Sequence, residues 1–224
     1  MFRVPRSEWV VAVCRWLLVA VVVGLEAAAL SVWLALLAGA APGSRETAVG
    51  VVVLAAALLV SQFLADLAVS GSAVGFPLGR TLGVALTETA LWTGWLAAVA
   101  AVGGRRGAFV GGLAFAVGLA FQDTAEVDAR RGAPPGTRLV DLGAVGSGLV
   151  TAAGGTVWLS LSTGLAAAGP LTGLAGGTGL APATVGFVAL VGALLVEHAV
   201  GVALARRERT QPTTASRQGR GSWT

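Results

Sequence analysis

From Leu142 to Val196 the chain runs for 55 residues without a charged side chain. A domain that faces water needs charge on its surface at much shorter intervals. As one straight helix this run would extend about 80 Å at 1.5 Å per residue, far more than the roughly 30 Å of a bilayer's hydrocarbon core. It therefore has to fold back on itself. The clustered Gly and Pro of GPLTGLAGGTGLAP, residues 169–182, mark the turn.

The same reasoning extends along the chain, which is 55% hydrophobic and 12% charged and has a mean hydropathy of +0.82. Soluble domains carry about twice that share of charge. Cutting at the charged residues leaves six apolar stretches, at 16–40, 47–69, 80–102, 107–123, 140–166 and 182–205. The expected fold class is all-α, a polytopic membrane protein with six transmembrane helices in a bundle. Residues 1–205 form its single domain, and 206–224 are expected to be a basic, disordered tail. The fourth stretch is short for a crossing and is expected to tilt little or to thin the bilayer locally. The opening MFRVPRSEWVVAVCRW has the basic start of a secretory signal. Its apolar run continues to about Ala41, beyond the roughly 7–15 residues of a signal peptide, so an uncleaved first span is expected.

All fifteen basic residues other than the one histidine are arginines, giving a net charge of +4 and an isoelectric point near 11.2. In a soluble protein that would suggest nucleic acid. Here most arginines flank apolar runs, so the expected partners are the lipid bilayer and, at the Arg-rich tail, anionic headgroups, with no nucleic acid. With the N-terminus inside, twelve arginines fall on the inner side, and only Arg45, Arg105 and Arg106 fall outside. Positive residues favour the cytoplasmic face. The expectation is a multi-pass plasma-membrane protein with both termini in the cytoplasm.

A repeat is visible within the spans. Glu26, Ala28 and Trp33 recur as Glu88, Ala90 and Trp95, displaced by 62 residues, and more weakly as Thr151, Ala153 and Trp158, a further 63 along. Gln62-x-x-Ala65-Asp66 likewise matches Gln122-x-x-Ala125-Glu126. These offsets suggest three successive two-helix hairpins, against the simpler reading of chance matches in an Ala-rich chain.

Intramembrane carboxylates are costly if ionised and should face the bundle interior. Glu26, Glu88, Glu197 and His198 are therefore the candidate substrate- or ion-binding residues, with Glu26 and Glu88 the principal pair and His198 able to titrate near neutral pH. The competing reading ties each acid to a helix neighbour or to an inner arginine such as Arg15 or Arg80. Asp66, Asp123, Glu126 and Asp141, nearer the water interface, read as solvated or structural. Gly143, Ser147, Thr151 and Gly155 form a small-residue stripe, and Gly107 and Gly111 begin another; both suit close helix packing. Such faces also suit assembly with a second copy or another protein. Trp9, Trp16 and Trp158 read as interfacial anchors.

Several chemistries lack their parts. There is no lysine for a retinal Schiff base, one histidine cannot supply bis-histidine haem ligation, and the one cysteine, Cys14, cannot form an internal disulfide. No Walker loop or zinc-protease motif is present. No cofactor or metal site and no catalytic signature is expected. The leading functional expectation is a small transporter or channel-like protein for a proton, cation or small solute. A non-catalytic membrane scaffold and a lipid-acting enzyme are the alternatives.

Overall fold

The computed structural model describes residues 6–37, 40–41, 43–70, 78–130, 140–165 and 170–210. Among them the chain is all-helical: α1 (Arg6–Leu37), α2 (Arg45–Ser70), α3 (Leu78–Val102), α4 (Gly104–Arg130), α5 (Leu142–Ser162), α6 (Pro170–Gly177) and α7 (Pro182–Thr210). All but α6 are long and apolar enough to cross a membrane. The protein is thus an integral membrane protein by architecture, because only a bilayer suits helices whose outer faces present Val, Leu and Phe in quantity.

Each connection lies where the backbone has a reason to stop. Ser44 accepts a hydrogen bond from the Thr47 backbone N–H at 3.2 Å and starts α2. Asp141 accepts from the Gly143 N–H at 2.9 Å and starts α5. Gly103 and Gly104 take φ of 74° and 54° between α3 and α4, a left-handed conformation that a side chain would strain.

The six long helices close a ring. Each packs on its successors in the order α1, α2, α3, α4, α5, α7, and α7 returns to α1. Neighbours run antiparallel, as side-chain register shows. Arg15 Nε donates to the Ala68 carbonyl at 3.0 Å, and Gly107 and Gly111 lie against Val99. Gly148 lies against Ala116 and Ala120, and Gly154 against Ala189 and Ala193. α1 begins and α7 ends at one face, termed here the terminal face; the loops between α1 and α2, α3 and α4, and α5 and α7 lie at the far face.

The hairpin repeat has a structural counterpart. Glu26, Glu88 and Thr151 are buried, Ala28, Ala90 and Ala153 exposed, and Trp33, Trp95 and Trp158 buried. The reason is helical geometry: seven residues bring a side chain back to the same face, whereas two carry it to the opposite one. Each tryptophan also meets a glycine on the second helix of its own hairpin. A Cβ on Gly50 would lie 3.5 Å from Trp33 Cδ1, one on Gly111 3.3 Å from Trp95 Cδ1, and one on Gly186 3.1 Å from Trp158 Cα.

Four expectations need correction. The fourth span is not short: α4 has 27 residues, because Arg105, Arg106, Asp123, Glu126 and Asp128 lie within the helix rather than ending it. The turn at 169–182 contains the short helix α6, whose Ala175 is buried with Leu161. α7 continues through Arg206, Arg207 and Arg209 to Thr210; the rest of the tail, 211–224, lies outside the described residues. Trp158 is no interfacial anchor, being only 3% exposed, whereas Trp9 and Trp16 are more than half exposed.

A candidate site of buried acids at mid-depth

Glu26 sits on the inward face of α1, 2% exposed. Its Oε1 accepts a hydrogen bond from Ser61 on α2, and its Oε2 lies 2.8 Å from Nε2 of His198 on α7. One carboxyl thus joins three helices. Glu88 on α3, also buried, accepts from Gln62 Nε2 on α2 at 3.1 Å. Glu197 on α7 accepts from Thr151 Oγ1 on α5. On α4, Gln122 Nε2 lies 3.5 Å from Glu126 Oε1 one turn away, while Gln122 Oε1 is buried without a partner.

All six spanning helices therefore contribute to one polar layer. Its members interact electrostatically across the bundle: Glu26, Glu197 and Glu126 are neighbouring charges of Glu88, and Glu26, Glu126 and His198 of Glu197. The four residues singled out from sequence come together here, including Glu26 and Glu88. Glu197 and His198, although electrostatic neighbours, are hydrogen-bonded to different helices. Adjacent helical residues diverge by about 100°, so Glu197 turns to α5 while His198 turns to α1.

The arginines considered as partners are occupied elsewhere. Arg15 donates to the Ala68 carbonyl, and Arg80 lies 3.9 Å from Asp66. The acids of the central layer are instead held by hydroxyl, amide and imidazole groups. Such neutral or titratable partners satisfy a carboxyl without fixing it as an anion.

Sequence reasoning missed Ser61, whose apolar surroundings give no local signal, named Gln62 only as part of the repeat, and missed the buried Asp128, 1% exposed. It also read the repeat too sparsely. Written out, the three segments are EAAALSVW at 26–33, ETALWTGW at 88–95 and TAAGGTVW at 151–158. A hydroxyl therefore recurs five residues after the acid or its threonine counterpart, as Ser31, Thr93 and Thr156. The expected packing stripe on α5 holds at Gly155, which lies against Trp92 and Trp95. The closest approaches on that helix are at Gly148 and Gly154, where a Cβ would come within 3.0 Å of Ala116 O and 2.3 Å of Ala193 Cβ.

Among the described residues no group of three or more His, Cys, Asp or Glu is arranged to hold a metal ion. The chain matches no family model, no curated protein and no solved structure.

Proposed function

We propose that this protein carries protons, or a small solute coupled to them, across the bilayer, with Glu26, Glu88, Glu197 and His198 as the exchanging groups. The observation that supports this reading is the convergence of three carboxyls and one imidazole at a single depth, bonded to one another or to hydroxyl and amide groups. Three carboxyls beside one imidazole in hydrocarbon approach neutrality only by holding bound protons, which their close placement lets them share. A proton arriving at one member can then be redistributed along Glu26 and His198, whose atoms are already at hydrogen-bond distance.

In this reading the protein is a carrier and not an enzyme. Its termini face the cytoplasm of a plasma-membrane protein, because among the described residues Arg6, Arg15, Arg80, Arg130, Arg206, Arg207 and Arg209 lie toward the terminal face, against Arg45, Arg105 and Arg106 toward the far face, and the Arg-rich tail meets anionic headgroups. The test is proton flux into vesicles holding the purified protein and a pH-sensitive dye, with the membrane potential clamped. Wild type is expected to dissipate an imposed pH gradient, and Glu26→Gln and Glu88→Gln to abolish this while remaining folded. Unchanged flux in both variants rejects the mechanism. A scaffold role predicts instead that the same substitutions lower stability and leave no flux to lose.

A further inference from the structure

Beyond the acid layer toward the far face lies a second set of polar atoms with a different property. Trp33 Nε1, Trp95 Nε1, Thr93 Oγ1 and Thr156 Oγ1 are buried and have no hydrogen-bond partner in the protein. Counting along the helices, Thr93 and Thr156 lie five residues past Glu88 and Thr151, and Trp33 and Trp95 seven past Glu26 and Glu88. At 1.5 Å per residue all four therefore lie about 7–11 Å farther along their helices than Glu26, Glu88 and Thr151.

These orphans are not the ordinary condition of helical hydroxyls in this molecule. Ser31, Thr87, Thr89 and Thr124 each donate to the carbonyl four residues earlier, at 2.6–2.9 Å. Thr93, one turn after Thr89, and Thr156 do not. The indoles are equally unusual, for Trp33 is fully buried and Trp95 only 3% exposed. An indole N–H donates only, so each needs an acceptor, and burying a donor without one is destabilising.

The positions of two of these groups are coordinated. On α4, Gly111 lies against Trp95 Cδ1, the carbon next to Nε1, and its neighbour Gly112 lies against Thr156 Oγ1. Trp95 is itself fixed, stacked on Phe115 at 5.1 Å and edge-on to Trp92 at 5.5 Å. A donor on α3 and a hydroxyl on α5 thus meet α4 at adjacent glycines. Trp33 Cδ1 repeats the arrangement against Gly50 in the first hairpin.

We propose that this far band is a binding site for ordered water, forming the part of the proton route between the acid layer and the far face; the route rests on the proton reading above, whereas the water site does not. Buried water is the small acceptor that satisfies such groups, making about three hydrogen bonds each. The roles within the band differ. Thr156, beside Trp95 at α4, and Thr93, on the other face of α3, both donate and accept, so a proton entering a hydroxyl–water chain at one end releases another at the far end and leaves the hydrogen bonds of that chain reversed, to be reset by rotation of the hydroxyls and waters. The indoles donate only and hold the water in place.

The experiment is X-ray radiolytic hydroxyl labelling of the intact protein in lipid nanodiscs, read by mass spectrometry, alongside vesicle flux. Labelling depends on water at the side chain and not on flux. Trp33 and Trp95 are expected to be modified several-fold faster than Trp158, which is as buried as Trp95 but whose indole nitrogen is not among the orphans. Thr156→Val should slow labelling of Trp95 and lower proton flux several-fold, with Thr156→Ser restoring both. Labelling of Trp33 and Trp95 no faster than of Trp158 overturns the water site whatever the flux. Fast labelling with flux unaltered by Thr93→Val and Thr156→Val together overturns the route. A wild-type protein that labels as expected but moves no protons refutes the proton reading and upholds the water site.

Discussion

The two polar layers of this bundle differ in how they are closed. In the acid layer, each carboxyl singled out from sequence meets a donor on another helix: Ser61 and His198 for Glu26, Gln62 for Glu88, and Thr151 for Glu197. In the far band, Trp33, Trp95, Thr93 and Thr156 face no protein partner. The difference teaches that buried polarity serves two ends in one scaffold. The acid layer ties helices together, with Gln122 Oε1 its exception among the described residues, whereas none of the four polar atoms of the far band has a protein partner.

The largest effect expected from breaking this contrast is at His198. Removing it leaves Glu26 Oε2 without its partner and the buried carboxyl with Ser61 alone, so His198→Ala should destabilise the bundle by about 3 kcal/mol, measured by denaturant unfolding in mixed micelles. His198→Gln, which retains a donor, should recover part of that loss. Next is Thr151→Val, which leaves Glu197 without its donor on α5 and is expected to cost about 1–3 kcal/mol in the same assay. Smaller still is Trp95→Phe in the far band. It deletes a donor that no protein atom accepts, so the loss should stay near 1 kcal/mol or less. A Trp95→Phe loss as large as that of His198→Ala would erase the distinction between the layers. As a reference, Ala90→Leu on the exposed side of the same helix should fall within about 0.5 kcal/mol.

The number of spans was legible because hydrocarbon allows few ways to satisfy a backbone, and charge marks where a span must approach water. That rule failed on α4, where Asp128 is buried within the helix, because a charge with company inside a bundle does not end a span. The acids were legible for a related reason: Glu26 and Glu88 are conspicuous in runs of Ala, Val and Leu. Their partners were not. Ser61 and Gln62 acquire meaning only when α2 is set beside α1 and α3, and the divergence of Glu197 from His198 appears only once α7 lies between α5 and α1. Trp158 was misread because distance along a span does not reveal which side of the helix faces lipid. The hydroxyls Thr93 and Thr156 stood in the repeat from the start, but their lack of a carbonyl partner is a tertiary fact.

The central claim is that the mid-depth carboxyls exchange protons as a group. Infrared difference spectroscopy of the protein in lipid, stepped across pH, follows the C=O stretch that a carboxyl shows only when protonated. If the carboxyls do so, a pH-dependent carboxyl band appears that diminishes in Glu26→Gln and in Glu88→Gln, and whose midpoint shifts in each single variant because the remaining groups feel the loss. A carboxyl band that does not change with pH, or one that titrates identically in both variants and wild type, would contradict it.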